Sequence, residues 1–334
     1  PTAIHNTNHK KNQRALMMRG ERPPECEYCW NVEDLEGDHF SDRTYKSTDY
    51  IWSTPNLNDI VDAGSHGNII PTYLEVSFEN TCNFKCMYCT PDVSSKWMEE
   101  VERFGPYPNG QGDLRYIEKV GKLPIPIREE NPYVDAFWKW WPELYPKLKV
   151  FRITGGEPLL SKNTWKVLDY IIENPRPDLS LAINTNMQPP DELLDRLIEK
   201  IKLLDGKLKD LTIFTSAEAK GKHADYIRFG MDYNKWLANC NKLLSETNVD
   251  LNIMITFNGL SLFSFKDFLE DIWKLRVTYN EHDSHNRIPI MIAYLRWPEH
   301  QTIKIIPDMF KKKYFQEISE FVDSRMRTTS PHKS

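Results

Sequence analysis

Long apolar runs and an excess of basic residues are both absent from this sequence. No stretch of 18 or more apolar residues occurs in the 334 residues, so no membrane-spanning helix is predicted. No signal peptide opens the chain, and it begins at Pro1 rather than Met, as a processed chain or a fragment would. The net charge of -5 provides no overall positive field that would attract nucleic acid or anionic lipid. We therefore expect no membrane span, and nucleic-acid binding is not indicated, with a local basic patch left open as the alternative.

The cysteines are few but strongly clustered. There are six, comprising a group of three within eight residues, a Cys-x-x-Cys pair and a single residue: Cys82, Cys86 and Cys89; Cys26 and Cys29; and Cys240. Secreted disulfide frameworks spread their cysteines across a short chain, whereas clustered thiols in a long chain indicate metal binding in a reducing compartment. We therefore expect metal binding and a cytoplasmic location.

Strand-like and helix-like segments alternate from residue 73 onward. Apolar runs predict strands over residues 73–78, 150–154, 179–184, 211–215, 251–257 and 288–295. Amphipathic helices are predicted between most of them, for example over residues 191–204. Such alternation implies parallel strands joined by crossover helices, and six units are too few for an eight-fold barrel. The predicted fold class is therefore α/β, a partial (βα)6 TIM-like barrel of parallel strands with an N-terminal loop-rich appendage.

Three segments are expected along the chain. Residues 1–70 read as the appendage that carries the Cys-x-x-Cys pair, residues 71–300 as the barrel, and residues 301–334 as a C-terminal helix and tail. A long insertion over residues 90–148, rich in Pro, Gly, Trp and Tyr, separates the first two strands. We expect its tryptophans to pack on the core, with a substrate-stacking surface as the alternative.

The three clustered cysteines follow the first predicted strand directly. Their spacing is Cys-x3-Cys-x2-Cys, and the loop contains no fourth Cys or His. Soft thiolates favour iron–sulfur clusters, zinc or copper(I), and a tetrahedral zinc site normally has a fourth protein ligand. Three thiolates on a four-iron cluster leave one iron open, and an open iron can bind a substrate. A zinc site completed by a distant His remains the alternative.

This loop resembles the signature of the radical S-adenosylmethionine (SAM) superfamily. That signature is Cys-x3-Cys-x-aromatic-Cys after the first barrel strand, and Tyr88 supplies the aromatic residue. The resemblance implies that Cys82, Cys86 and Cys89 hold a [4Fe–4S] cluster that acts catalytically on SAM. The cofactors implied are thus the cluster and SAM.

A second match follows the second predicted strand. Gly155, Gly156, Glu157 and Pro158 resemble the Gly-Gly-Glu-Pro motif of the family, which receives the amino group of SAM. The chemistry agrees, because glycine permits close approach to the backbone and a glutamate accepts from an ammonium group. The position is also apt, since barrel enzymes place their chemistry at the carboxyl ends of strands.

Weaker matches fill in the rest of a SAM pocket. By resemblance, Asn184 and Asn186 at the end of the third strand lie beside the ribose or the methionine part, Ser216 contacts the ribose, and Arg228 pairs with the SAM carboxylate. Where relatives often have Ser-Leu-Asp-Gly, this chain has Thr-Ser-Ala-Glu at residues 215–218. A helix N-cap for Ser216 and an ion pair for Arg228 remain open as structural alternatives.

The activity implied by the resemblance is reductive cleavage of SAM to a 5′-deoxyadenosyl radical, which abstracts hydrogen from a substrate. The partners would be a one-electron reductant such as flavodoxin or ferredoxin and a substrate that is a peptide, a sugar or a nucleotide. The chain looks closest to twitch-type members, which have a short auxiliary region. The alternative function is a zinc-binding or redox-sensing interaction protein without SAM chemistry.

Cys26 and Cys29 raise the question of a second metal site. Two thiolates form half of a tetrahedral site. Relatives with a similar Pro-x-Cys-x-x-Cys-Trp sequence can carry an auxiliary iron–sulfur cluster, with extra upstream cysteines that this sequence does not show. The prediction is an auxiliary cluster or zinc at this pair, with a packed pair of thiols as the alternative.

Overall fold

The computed structural model describes residues 5–37, 39–107, 112–126, 128–280 and 285–326. The chain divides into two compact units, the first formed by Pro1–Leu74 and Glu130–Phe151 and the second by Glu75–Glu129 and Arg152–Ser334. The last part of the expected C-terminal segment, residues 327–334, lies outside the described residues. The three-part division expected from the sequence stays a prediction. Among the described residues, no helix has both the length and the apolarity needed to cross a bilayer.

The helices and strands alternate along most of the chain. The α-helices are α1 Asn8–Met18, α2 Glu27–Glu33, α3 Asp42–Ser47, α4 Leu57–Ala63, α5 Ser95–Phe104, α6 Leu114–Lys119, α7 Pro132–Leu144, α8 Lys162–Glu173, α9 Asp191–Leu204, α10 Lys222–Ile227, α11 Tyr233–Glu246, α12 Phe265–Tyr279 and α13 Asp308–Phe321. The strands are β1 Tyr73–Ser77, β2 Lys85–Cys86, β3 Val150–Thr154, β4 Arg176–Thr185, β5 Leu208–Ser216, β6 Arg228–Phe229, β7 Asp250–Phe257 and β8 Ile290–Tyr294. Short helical turns lie at Pro24–Cys26, Thr54–Asn56, Tyr145–Lys147, Pro158–Leu160, Ser261–Ser264, Glu299–Gln301, Ile303–Ile305 and Val322–Met326.

The first unit is centred on the aromatic residues of α7. This helix begins where the Asn131 side chain accepts hydrogen bonds from the backbone N–H groups of Tyr133 and Val134, with Pro132 in the first turn. The helix buries an aromatic and aliphatic face made of Phe137, Trp140, Trp141 and Leu144. Trp141 packs 5.2 Å, ring centroid to ring centroid, from Phe151. These buried tryptophans are core residues, as expected.

The second unit is organised around a six-stranded sheet in the order β1-β3-β4-β5-β7-β8. The β4–β5, β5–β7 and β7–β8 pairs are all parallel, and each crossover between them contains helix. All six predicted strands are present, with ends shifted by a few residues. The predicted α/β class with parallel strands is therefore confirmed.

The face of the sheet opposite the core carries polar side chains and is the concave face of the partial barrel. Arg152 of β3 reaches across the two strands between β3 and β7 and donates a hydrogen bond from Nη2 to Sδ of Met254 at 3.4 Å. The Arg152 guanidinium also lies 4.2 Å from the ring centroid of Phe214 on β5. These contacts place Arg152, Phe214 and Met254 on the inner side of a partial barrel.

The opposite face of the sheet packs into the core. Along β7, buried and half-buried residues alternate, and Leu251, Ile253 and Ile255 are buried on the side away from Met254. Helix α9 buries the apolar positions expected from its spacing: Leu194, Leu197, Ile198, Ile201 and Leu204. The two periodicities that predicted these elements thus also define the core.

A two-stranded antiparallel sheet was not predicted. β2 pairs with β6 so that Lys85 lies opposite Phe229 and Cys86 opposite Arg228. Two-residue strands are too short to show an alternating pattern in the sequence. This small sheet matters because it brings a predicted metal ligand to a predicted SAM ligand.

Candidate active site

The cysteine loop, residues 78–94, connects β1 to the region of α5 and contains β2. Cys86 is buried, whereas Cys82 and Cys89 are half-buried. The loop is held by α5 and its N-cap, because Ser94 Oγ donates to the Phe84 carbonyl at 2.7 Å and Trp97 Nε1 donates to the Cys86 carbonyl at 2.8 Å. The backbone around the buried thiol is therefore fixed by Trp97 of α5 and by Ser94, the N-cap of that helix.

The glycine pair after β3 lies directly against this loop. Gly155 has a φ of +134°, a conformation that favours glycine. A Cβ on Gly156 would lie only 2.3 Å from the Thr81 carbonyl oxygen, closer than real Cβ contacts. The next residue, Glu157, donates from its backbone N–H to the same Thr81 oxygen at 2.7 Å. Glycine is therefore required here because the turn after β3 packs backbone to backbone on the cysteine loop.

The Glu157 side chain joins the ends of β3 and β4. It is 1% exposed, and Oε1 accepts hydrogen bonds from Leu159 N at 3.1 Å and Thr185 Oγ1 at 2.8 Å. Oε2 accepts from Asn186 N at 2.6 Å. Burial raises the pKa of Glu157 to about 7, although these three hydrogen bonds favour the charged form. The carboxylate is occupied by the protein's own donors, and its expected contact with the SAM amino group stays a prediction.

Asn186 connects the end of β4 to the cysteine loop. Its Nδ2 donates to Asn83 Oδ1 at 2.7 Å, and its Oδ1 accepts from Gln188 N at 2.8 Å. Asn83 completes the ring by donating from Nδ2 to the Gln188 carbonyl at 2.7 Å. The predicted site residue Asn186 is thus brought to the loop, and Asn83, which the sequence did not single out, is its partner there.

Asn184 and Ser216 occupy neighbouring strands of the concave face. Asn184 Oδ1 accepts from Arg152 Nε at 3.0 Å, so Asn184 orients a cation that the sequence did not identify. Ser216 is half-buried at the end of β5, in register with Met254 of β7. Its predicted ribose contact stays a prediction.

The three thiols lie in different electrostatic surroundings. The Phe84 backbone N–H donates to Cys82 Sγ at 3.4 Å, but burial still raises the pKa of Cys82 to about 11. A hydrogen bond from the Cys89 thiol, helped by the nearby Arg228 cation, lowers the pKa of Cys86. The same hydrogen bond and burial raise the pKa of Cys89 well above its usual value. Cys86 is therefore the thiol best prepared to be a thiolate.

A buried ion pair stands beside Cys86. Arg228 is 7% exposed and donates to Glu218 Oε2 from Nε at 3.1 Å and from Nη2 at 2.8 Å. Its third contact is from Nη1 to Cys86 Sγ at 3.6 Å. Tyr88 OH donates to the other Glu218 oxygen at 3.0 Å. Arg228 and Tyr88, both predicted site residues, thus meet at Glu218, which was not predicted.

The chain matches a known protein family. Residues 76–272 match the model of the Radical SAM superfamily. The chain belongs to the radical SAM superfamily. Membership implies a [4Fe–4S] cluster and SAM as cofactors, as predicted from the cysteine loop and the Gly-Gly-Glu motif. The twitch-type subclass stays a prediction.

The relatives extend beyond the matched region. A GTP 3′,8-cyclase of Nautilia profundicola is 33% identical over 114 residues, which are 34% of this chain and 27% of that protein. A GTP 3′,8-cyclase of Campylobacter lari is 27% identical over 158 residues, 46% of this chain and 40% of that protein. The match therefore spans less than half the length of these relatives. Streptococcus suis SuiB bound to S-adenosylmethionine aligns at 14% identity and a TM-score of 0.48, over 97% of this chain and 60% of SuiB.

The residues of this radical SAM chain fit an iron–sulfur cluster. The loop offers three sulfur donors, and two of them, Cys82 and Cys86, already accept N–H···S hydrogen bonds, which support thiolates. Within the described residues, no three His, Cys, Asp or Glu side chains are grouped so that they could share one metal ion. A [4Fe–4S] cluster does not require such grouping, because each of its cysteines binds a different iron.

The second cysteine pair lies in the first unit. Cys26 ends a short helical turn and Cys29 lies in α2, and both thiols are free and half-buried. The adjacent Trp30 is covered by the Arg43 guanidinium, 4.0 Å from the ring centroid. The predicted auxiliary site at this pair stays a prediction. Cys240 is fully buried in α11 and is a core residue.

Besides Asn83, sequence reasoning missed Glu218 and Arg152. Glu218 occupies the position where this chain departs from the family's Ser-Leu-Asp-Gly pattern, and an acidic residue there was the available signal. Arg152 precedes the Gly-Gly-Glu motif on a strand whose alternate residues, Phe151 and Ile153, are fully buried. A charged residue alternating with buried ones marks the other face of the strand, so the pattern could have identified it.

Replacing Gly156 by Ala is expected to destabilise the metal-free chain by at least about 2 kcal/mol, because the added Cβ forces the turn away from Thr81. The measurement is urea unfolding. Gly121→Ala is the control, since Gly121 has a φ of +69° but nothing within 4 Å of its Cβ position, and only about 1 kcal/mol of backbone strain is expected. Equal losses in the two variants would contradict the packing role of Gly156.

Glu157 is expected to make the stability of the metal-free chain depend on pH. Its pKa is raised from 4.5 to about 7, so between these values it is protonated when folded and ionised when unfolded. The free energy of unfolding should therefore fall as pH rises through this window, by about 3 kcal/mol in total at about 1.4 kcal/mol per unit. Glu157→Gln should lack this component.

Urea unfolding of the wild type and Glu157→Gln at several pH values from 4.5 to 7 tests this expectation. Glu246→Gln, a substitution at a surface ion pair with Lys202, is the matched control and should keep the wild-type pH slope. If Glu157→Gln and the wild type lost stability in parallel, the pH dependence would have another source.

Proposed function

We propose that the chain holds a [4Fe–4S] cluster through Cys82, Cys86 and Cys89, binds SAM beside it, and abstracts a hydrogen atom from a substrate at the concave face of the barrel. The observation that carries the proposal is the convergence at one loop of three cysteines, the glycine turn after β3 and the buried cation Arg228. A structural metal site requires neither the glycine turn nor the buried cation. Family membership supports the same reading.

The protein's own residues would bind SAM, orient it and shield it from water. Backbone groups of Gly155, Gly156 and Glu157 would receive the SAM amino group, and Arg228 would face its carboxylate with the Nη hydrogens that Glu218 leaves available. Three further polar residues, Asn184, Asn186 and Ser216, would line the rest of the SAM site. When bound and reduced by one electron, the cluster and SAM supply a 5′-deoxyadenosyl radical. The electron donor would be a protein such as flavodoxin or ferredoxin, and the cytoplasmic location goes with that partner.

The expected substrate classes are peptides, sugars and nucleotides. Among these, the concave face favours a substrate that carries an anionic group. Arg152 carries its charge there, and its side chain is 19% exposed, whereas its carboxylate neighbour Glu75 lies 3.9 Å away and is 45% exposed. A partly exposed arginine on this face can pair with a phosphate or carboxylate group of a substrate. A nucleotide has such a group, and the relatives named above are GTP cyclases. A peptide or sugar with an acidic group has the same chemistry.

Anaerobic reconstitution with iron and sulfide, followed by dithionite and SAM, tests the function. We expect 5′-deoxyadenosine and methionine from the wild type, and none from Cys86→Ala, because a cluster with two cysteine ligands is not retained. Cys240→Ala is the matched control, since it removes a buried thiol remote in sequence from the loop, and its product yield should equal that of the wild type. Folding of each variant is checked by circular dichroism.

Two results would overturn the proposal. Folded wild-type protein that takes up iron but leaves SAM intact would favour a redox-sensing or interaction protein. Folded protein that binds zinc in preference to iron at Cys82, Cys86 and Cys89 would favour a structural metal site.

An auxiliary centre at Cys26 and Cys29 predicts a second effect on metal content. The double variant Cys26→Ser/Cys29→Ser should then lose about four irons, or one zinc, per chain while retaining the cluster that cleaves SAM. Metal analysis of the reconstituted chains measures this loss against Cys240→Ala. Unchanged metal content in the double variant would leave Cys26 and Cys29 as packed thiols.

A further inference from the structure

We propose that Glu218 is a positioning residue, which holds Arg228 against Cys86 and so sets the reduction potential of the cluster. The inference rests on the proposed function, because it requires the cluster at the three loop cysteines. It concerns a residue outside the cysteine loop and outside the Gly-Gly-Glu motif, and it assigns a use to the one charged pair that contacts a loop sulfur directly among the described residues.

Arg228 is fixed at both ends. Its backbone belongs to β6, where it lies opposite Cys86 in the antiparallel pair. Its guanidinium is fixed by Glu218 Oε2, which accepts from Nε and Nη2 and leaves Nη1 directed at Cys86 Sγ. A guanidinium is planar, so two contacts on one edge determine where the third nitrogen points. Glu218 therefore decides that Arg228 faces the sulfur.

Glu218 is itself held in place. Its second oxygen accepts from Tyr88 OH at 3.0 Å, and its side chain is 1% exposed. The neighbouring residues Ala217 and Ala219 are fully buried. Breaking a buried pair leaves an uncompensated charge and costs several kcal/mol, so the pair is a fixed part of the site.

The pair acts on the cluster by charge and by hydrogen bonding. Reduction adds a negative charge, which the Arg228 cation and its N–H···S bond to Cys86 stabilise, so Arg228 raises the reduction potential. The Glu218 carboxylate opposes the same added charge and lowers the potential. Both effects are strong because the two side chains are screened from water. The two residues should thus shift the potential in opposite directions.

Glu218→Gln isolates the charge of the carboxylate. The Gln oxygen can still accept from Arg228, and its amide can donate to Tyr88 oxygen, so the contacts are preserved while one negative charge is lost. We expect the midpoint potential to rise, with a change of about tenfold in the reduction equilibrium, which is about 59 mV for a one-electron couple. The double variant Glu218→Gln/Arg228→Gln removes both charges and the N–H···S donor, and its potential should fall below that of the wild type.

Redox titration of the reconstituted full chain, followed by electron paramagnetic resonance, measures these potentials. Glu246→Gln, which makes the same chemical change at an exposed ion pair, should leave the potential unchanged. A purely structural role for Glu218 predicts that both variants lose iron or that both shift the potential in the same direction. Either result, with an intact wild-type cluster, would refute the inference. Glu218→Gln alone could lose iron because Arg228 is left buried without a counter-charge. In that case the midpoint potential of the double variant decides the inference: a fall below the wild-type value supports it, and a rise refutes it. A wild-type chain that forms no cluster would instead refute the proposed function.

Discussion

The contact between the glycine turn after β3 and the cysteine loop is the constraint on which the rest of the site depends. Because Gly156 has no side chain, the turn can lie within hydrogen-bond distance of the Thr81 carbonyl. That closeness positions Glu157 to reach the end of β4, where it accepts from Thr185 and the Asn186 backbone. The loop, β3 and β4 are thus joined through the backbone of the turn and the Glu157 carboxylate, and none of these contacts uses a loop thiol.

The sequence predicted those parts of the fold that depend on local pattern. The six strands and helix α9 follow from apolar periodicity, and the cysteine spacing and the glycine pair are readable within a few residues. It did not predict β2 and β6, because a two-residue strand shows no periodicity. It also did not predict the Glu218–Arg228 pair, whose members are ten residues apart in sequence and lie on either side of helix α10. The alternation of Arg152 with the buried residues Phe151 and Ile153 signals its place on the other face of β3, but its contact with Met254 joins strands that are distant in sequence. Contacts made across the fold are not encoded in any short window.

The missed residues have a common property. Glu218 is buried and Asn83 and Arg152 are half-buried, and each of these polar side chains is hydrogen-bonded to a partner from another part of the fold. Burying polar groups costs free energy unless they are hydrogen-bonded, so such groups are found where something other than stability requires them. Their concentration between the concave face and the cysteine loop supports the proposed site at this end of the barrel.

The two buried carboxyl groups near the loop, Glu157 and Glu218, have different hydrogen-bond partners. Glu157 and Glu218 are each 1% exposed, but Glu157 is bonded only to neutral donors, whereas Glu218 is paired with Arg228. Burial without a cation raises the pKa of Glu157 to about 7, so this carboxyl can be neutral near physiological pH. The pair, by contrast, brings a cation next to Cys86 at no net charge. The fold therefore places the Arg228 cation beside Cys86, whose pKa it helps to lower, and keeps the Glu157 carboxyl, which has no cationic partner, at the junction that supports the loop.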